Sequence, residues 1–99
     1  MKNENKYQAS LKDKLKVLFP GCIIQKELDI QGTPDLLILY KNKWASLECK
    51  RSSKEEHQPN QDYYVDLMNQ MSFSRFIFPE NEDEVLNELF IFFNGGLEK

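Results

Sequence analysis

One stretch of this chain constrains the fold more than any other. Two runs rich in strand-forming residues, 32–40 and 43–50, are separated only by the polar pair Lys41 and Asn42. Short apolar runs on either side of a tight polar turn are typical of a β-hairpin. The sequence therefore predicts two adjacent antiparallel strands that turn at Lys41 and Asn42.

The register of this hairpin brings charged residues together. A two-residue turn pairs Tyr40 with Lys43 and, counting outward along both strands, Asp35 with Glu48. Directly opposed residues lie roughly 4.5–5.5 Å apart on one face of the sheet. Because side chains alternate between faces, Lys50 shares that face with Glu48. The hairpin predicts a cluster of two acids and one lysine.

The two faces of the hairpin differ in character. One face is uniformly apolar, and the other is apolar toward the turn and charged toward the open end. We expect a helix to cover part of the mixed face and to leave a cleft where the charges are. The apolar face carries Leu36, Ile38, Ala45, Leu47 and Cys49.

The remaining elements follow from apolar periodicity and from turn residues. They predict an α/β (α+β) chain with the order α-β-β-β-α-β-α. Its mixed four-stranded sheet would be a three-strand antiparallel meander plus a parallel strand, flanked by helices. Outside the hairpin, we expect a helix over Lys6–Phe19, a strand over Cys22–Ile30, a helix over Pro59–Gln70, a strand over Phe73–Phe78 and a helix from Asn81 to Asn94.

Length and composition indicate a single domain, residues 1–99, without metal or disulfide staples. Cys22 and Cys49 are the only cysteines and stand outside any C-x-x-C motif, which is typical of buried free thiols. No apolar run is long enough to span a bilayer, and no signal peptide opens the chain. We expect an intracellular, cytoplasmic protein with no membrane partner, in the host cytoplasm if the chain is viral.

The charge is distributed unevenly along the chain. The net charge is −3, yet residues 1–54 carry 11 Lys and Arg against 6 Asp and Glu, and residues 55–99 carry 2 against 10. The half that holds the hairpin is therefore basic and compatible with phosphate binding, although these lysines equally suit a solvated surface. The candidates for contact with nucleic acid are Lys12, Lys16, Arg51 and Lys54.

Two carboxylates a few ångströms apart repel each other and need a shared proton or cation. Oxygen ligands favour Mg²⁺ or Mn²⁺, and the backbone carbonyl of Cys49 is a further candidate ligand. With Lys50 beside them, Asp35 and Glu48 suit metal-assisted attack of water on a phosphodiester. The alternative is an exposed cross-strand salt-bridge cluster worth under ~1 kcal/mol.

The pattern also resembles a known family. Pro34-Asp35, followed after twelve residues by Glu48-Cys49-Lys50, resembles the signature of the PD-(D/E)XK nuclease superfamily, and the element order is similar to its restriction-endonuclease-like core. Residues 32–37, the strand around Glu48 and Gln61 at the start of the next helix are most similar to the VRR-NUC branch, whose small stand-alone members include phage proteins.

The resemblance implies roles for individual residues. Asp35 and Glu48 would bind the metal, Lys50 would assist the nucleophilic water, and Gln61 would complete the site. The family often adds an acid from the first helix. Here that position falls to Glu4 or to the non-acidic Gln8, with Glu27 on the neighbouring strand as a substitute.

Two functions follow as hypotheses. The first is a Mg²⁺- or Mn²⁺-dependent DNA endonuclease, selective for branched DNA or four-way (Holliday) junctions, as similar family members are. The second is a catalytically silent DNA-binding or regulatory module with the same fold. Residues 90–93 are more apolar than one helix face can bury, so we also expect a homodimer, with Ile91 and Phe92 better placed than Phe90 and Phe93 to contact a partner.

Overall fold

The computed structural model describes residues 2–26 and 28–95, with side chains from Asn5 onward. Three helices and a four-stranded sheet follow the predicted order, which confirms the α+β fold. The elements are α1 (Lys2–Leu18), β1 (Ile23–Lys26), β2 (Leu36–Tyr40), β3 (Lys43–Cys49), α2 (Gln61–Met71), β4 (Ser74–Ile77) and α3 (Glu82–Phe93).

The sheet has the predicted connectivity, with strand order β1-β2-β3-β4. β1, β2 and β3 form an antiparallel meander, and β4 lies parallel to β3. The hairpin register is as predicted, because Tyr40 pairs with Lys43 and Leu36 pairs with Leu47. Pro34 cannot donate a hydrogen bond to the sheet, so β2 begins after it. Asp35 directly precedes the first residue of β2.

The apolar face of the hairpin forms the main core. It packs against apolar side chains of α1 and α3, whereas α2 covers the other face over β3 and β4. Phe19, fully buried, lies 5.3 Å from the Tyr40 ring and 5.0 Å from the Phe93 ring, centroid to centroid. These contacts fix the turn end of the hairpin against Phe19 and Phe93. The charged end of the hairpin lies toward α2.

The predicted limits of α1 and β1 need correction. α1 begins at Lys2 rather than Lys6, because residues 2–6 are all polar and carry no apolar signal for the earlier turn. β1 ends at Lys26, well before Ile30. The Ile30 carbonyl accepts hydrogen bonds from the Thr33 amide and hydroxyl, so this segment already belongs to the turn that leads into β2.

The helices bury other side chains than their spacing predicts. In α2 the apolar residues Tyr64, Leu67, Met68 and Met71 recur at helical spacing, yet the buried side chain is Val65, and Met71 is 62% exposed. In α3 the exposed apolar residues are Phe90 and Ile91, so Ile91 is exposed as predicted, whereas Phe92 is buried. Phe92 lies over the Phe73 ring and its carbonyl accepts a hydrogen bond from the Lys43 ammonium.

The mixed face of the sheet opens at its apolar end. α2 covers the charged end, and a groove of about 340 Å³ remains toward the hairpin turn. We expected the cleft at the charged end of this face. Instead, the helix covers the charged end and the groove lies at the apolar end. The groove is lined by Leu28, Leu37, Leu39, Trp44, Met68 and Met71.

No helix in the described part of the chain is long and apolar enough to cross a membrane.

Gly32 allows two loops at the charged end to meet. Its φ of +95° lies in the left-handed region, which an L side chain rarely adopts. A Cβ atom at this position would lie 2.7 Å from the Asn60 Cβ and 3.3 Å from the Pro59 carbonyl oxygen. The loop before β2 therefore touches the turn that starts α2, and Asp35 and Gln61 follow directly from these two segments.

We predict that Gly32→Ala destabilises the protein more than Gly21→Ala does. Both glycines have positive φ, but a Cβ atom at Gly21 would meet nothing within 4 Å. Backbone strain should cost each variant about 1–2 kcal/mol of unfolding free energy, and the clash at Asn60 should add about 1–3 kcal/mol to Gly32→Ala. Urea denaturation measures the difference. Equal destabilisation would mean that the two loops separate at little cost.

Candidate active site

Asp35 and Glu48 meet at the open end of the hairpin. Their carboxyl groups are in hydrogen-bonding contact. The Cys49 amide donates a hydrogen bond of 2.9 Å to Asp35 Oδ2, which fixes this side chain across the strand pair. Glu48 is only 2% exposed. The structure thus brings together the two acids that the hairpin register pairs.

Burial raises the pKa of Asp35 above its ordinary value. The Cys49 amide, the Glu48 carboxyl group and the positive charges of Lys50 and Lys26 oppose this effect without cancelling it. A pair of carboxyl groups in this setting favours a shared proton when no cation is bound.

Lys50 and Gln61 complete a hydrogen-bonded chain around Glu48. The Lys50 ammonium is 2.7 Å from Gln61 Oε1 and 3.1 Å from the Glu56 carbonyl oxygen. Gln61 Nε2 donates to Glu48 Oε2 at 2.9 Å. The Gln58 amide also donates to Gln61 Oε1, at 2.8 Å. Gln61, the first residue of α2, therefore joins the lysine to the acid.

The burial of these groups excludes the exposed salt-bridge alternative. Lys50, like Glu48, is 2% exposed, so both charged groups lie below the surface rather than on it. A buried charge is tolerated only when it is paired and hydrogen-bonded, which the chain through Gln61 provides.

The donor set suits a hard divalent cation. Asp35 and Glu48 offer carboxylate oxygens at one point, and no sulfur or imidazole ligand is required. In an extended strand the amide and carbonyl of one residue face the same neighbour. Since the Cys49 amide points at Asp35, its carbonyl oxygen is directed to the same side. These three residues would hold the metal, and Mg²⁺ or Mn²⁺ would supply Lewis-acid activation of water.

A third acidic ligand is not visible in the described part of the chain. There, no group of three or more His, Cys, Asp and Glu side chains is arranged to hold a metal ion. The Glu4 side chain and the whole of Glu27 lie outside the described residues. Gln8 is buried in α1.

The four candidate DNA-binding residues fall into two groups. Arg51 and Lys54 follow Lys50 in the loop beside the site and are exposed. Lys12 and Lys16 lie on α1, which packs against the opposite face of the sheet from α2. Only the loop pair is therefore adjacent to the carboxylates.

Lys26 is a basic residue near the site that the sequence analysis missed. It is the last residue of β1, is exposed, and its charge acts on the Asp35 carboxyl group. The predicted strand continued to Ile30, which placed Lys26 inside an element rather than at its end. A predicted strand that ended at Lys26 would have indicated that this lysine lies at the edge of the site.

His57 also lies closer to the site than its place in a polar loop suggests. Its ring stacks on Phe76, with centroids 4.0 Å apart and planes 17° apart. Its Nδ1 is 2.7 Å from Asp62 Oδ1. The sequence pattern around His57 gives no sign of this position, because stacking on a distant strand leaves no local signal.

Comparisons with known proteins give no match. No protein-family model matches this chain, and neither does any curated protein or solved structure. The resemblance to VRR-NUC nucleases therefore rests on the motif residues and on the order of the elements.

We predict that Asp35→Asn stabilises the metal-free protein at neutral pH. Because burial raises the folded-state pKa of Asp35, ionising it costs more in the folded than in the unfolded chain, and this part of the stability falls as pH rises through the raised value. Asparagine still accepts from the Cys49 amide and can donate to Glu48. The advantage should vanish near the ordinary Asp pKa of about 3.9.

Urea denaturation in EDTA between about pH 4 and 8 measures this advantage, since the titration of a carboxyl group extends about a unit to either side of its pKa. Asp66→Asn removes an exposed carboxylate from α2 and serves as the matched control. If Asp35→Asn were the less stable protein at neutral pH, the ionised pair would be stabilising and the burial argument would be wrong.

Proposed function

We propose that this chain is a Mg²⁺- or Mn²⁺-dependent DNA endonuclease that hydrolyses phosphodiester bonds in branched DNA, acting in the cytoplasm, or the host cytoplasm if the chain is viral. One observation carries the proposal: two carboxyl groups in contact, with a buried lysine joined to one of them through Gln61. A purely structural role gives no reason to bury Glu48 and Lys50 beside the half-buried Asp35 at the open end of a sheet.

The chemistry of these groups supports hydrolysis of a phosphodiester. Asp35, Glu48 and the Cys49 carbonyl would hold the metal, which would supply Lewis-acid activation for the hydrolysis. The Lys50 ammonium is fixed by two acceptors and can orient the attacking water or offset the charge that develops on the phosphate. Gln61 fixes the Glu48 carboxylate on the other side.

The size of the domain bears on its substrate. The described residues form one sheet with its helices, and none of them forms a separate unit for reading DNA sequence. Recognition of DNA shape by this unit agrees with the resemblance to junction-resolving nucleases. Arg51, Lys54 and Lys26 flank the carboxylates and would contact phosphates there.

A second function is favoured by a specific observation. The described residues supply two acidic side chains at the site rather than three, and residues 55–99 carry 10 acids against 2 bases. A DNA-binding or regulatory module that keeps the nuclease fold without cleavage would fit these features.

A homodimer would place two sites on one DNA molecule. The outer surface of α1 and α3 exposes Val17, Phe90 and Ile91, at 78%, 46% and 39% respectively. A groove of about 460 Å³ runs between the two helices beside this surface. A second copy covering these side chains would remove them from water.

We predict that the purified protein cleaves branched or flapped DNA in Mg²⁺ or Mn²⁺. Asp35→Asn and Lys50→Met should each lower the single-turnover rate by at least about 10²-fold, a typical loss for one electrostatic group. Methionine preserves much of the lysine volume and leaves the Gln58 amide bonded to Gln61, so the fold should survive. Gel assays on labelled junction, flap and linear DNA measure the rates.

Asp66→Asn is the control for this experiment and should cleave at the wild-type rate. Cleavage that persists in both site variants would overturn the assignment of the site. Binding of branched DNA without cleavage in either metal would favour the silent module. An increase in melting temperature with Mg²⁺ in wild type, lost in Asp35→Asn, would report metal binding independently of cleavage.

We predict that the protein sediments as a dimer and that Ile91→Glu shifts it to monomer. Ile91 is partly exposed on α3, so a charge there should disrupt an interface more than the fold. Tyr63→Glu, at a 61% exposed position on α2, is the matched control and should stay dimeric. A monomeric wild-type protein at micromolar concentration would contradict the homodimer.

A further inference from the structure

His57 is held in a defined orientation by two separate contacts. The Phe76 ring lies against one face of the imidazole, and Asp62 holds Nδ1 at 2.7 Å. Within the described residues, the other ring nitrogen, Nε2, has no hydrogen-bond partner. The side chain is 37% exposed, so one edge of an otherwise fixed imidazole faces solvent.

This imidazole lies beside the candidate active site. Phe76 pairs with Glu48 in the β3–β4 ladder, so their side chains share a face on strands about 4.8 Å apart. The Lys50 ammonium donates a hydrogen bond to the carbonyl of Glu56, the residue directly before His57. Asp62 directly follows Gln61 in α2. His57 is thus connected to the cluster through Phe76, through Glu56 and through Asp62.

The arrangement is asymmetric about Glu48. Asp35 lies on the β2 side of it, and His57 lies on the β4 side above Phe76. A phosphate bound at the carboxylate pair would therefore have His57 on the β4 side of the site. Hydrolysis by in-line attack needs one group near the entering water and another near the departing oxygen, on opposite sides of phosphorus.

We propose that His57, oriented by Asp62, is a further catalytic residue that protonates the departing sugar oxygen. This inference rests on the proposed nuclease function. Water oxygen bonds to phosphorus, and its proton passes to solvent. The bond from phosphorus to the sugar oxygen breaks, and that oxygen takes the proton from His57 Nε2, which leaves a phosphomonoester, an alcohol and a neutral imidazole. The Asp62 carboxylate at Nδ1 orients the ring so that the proton is donated from Nε2.

The test compares two DNA substrates in His57→Gln and wild type. The ends of the wild-type products first identify which bridging oxygen departs, and a second substrate carries sulfur at that atom. A thiolate departs without protonation. We expect His57→Gln to slow the oxygen substrate by about 10²-fold, the lower range for general acid catalysis, and to cleave the sulfur substrate within about threefold of wild type.

Asp62→Asn and Asp66→Asn form a matched pair, since both remove an exposed carboxylate from α2. Asp62→Asn should show a smaller loss with the same dependence on the leaving atom, and Asp66→Asn should match wild type. Melting temperatures report whether the stacking on Phe76 is also needed for the fold.

Three outcomes would overturn the proposal. Equal loss on both substrates would make His57 a structural support or a substrate contact. No loss on either would remove it from the reaction. A wild-type chain that cleaves neither DNA would overturn this inference together with the proposed function, whereas the first two results leave the nuclease assignment intact.

Discussion

The charged end of this protein depends on one amide side chain. Gln61 accepts hydrogen bonds from the Lys50 ammonium and the Gln58 amide through one atom, and donates to Glu48 through another. A carboxylate cannot make this link, because it has no donor for Glu48. A lysine or arginine cannot make it either, because neither accepts from Lys50. An amide satisfies both charged neighbours and leaves the loop before α2 in place.

The hydrogen bonds of Gln61 are important because both faces of the sheet are buried. The core that α1 and α3 form fixes the strands, and α2 covers the charged end of the opposite face. Glu48 and Lys50 therefore cannot relax into water. An ionised carboxylate is costly in such a place because burial removes it from water, which is the physical origin of the raised pKa of Asp35. A divalent cation would relieve that cost more completely than a shared proton.

Strand pairing made much of the fold and the centre of the site predictable from sequence. Residue spacing alone sets the hairpin register, so it places Asp35 opposite Glu48 before anything distant is known. Helix and strand limits were less accurate, because Lys2 to Lys6 carry no apolar signal and the segment after Lys26 looks like a strand but turns. A local pattern cannot show where a distant loop closes a turn.

The parts of the site that sequence did not reveal share one property. Each is brought to the site by a contact between segments that are far apart in the sequence or joined only through a loop. These parts are Lys26, His57 and the hydrogen bonds of Gln61. The family resemblance singled out Gln61 at the start of a helix, yet its partners could not be read from that position. His57 had no such sign, since histidine in a polar loop is ordinary.

Gly32 shows why the two loops are better regarded as one unit. The loop before Asp35 and the turn before Gln61 meet where any side chain on Gly32 would collide with Asn60. Movement of either loop would therefore shift both a candidate metal ligand and the amide that holds the other one. A site assembled this way can hold its carboxylates close together against their repulsion, because the restraint comes from backbone contacts rather than from the charged groups themselves.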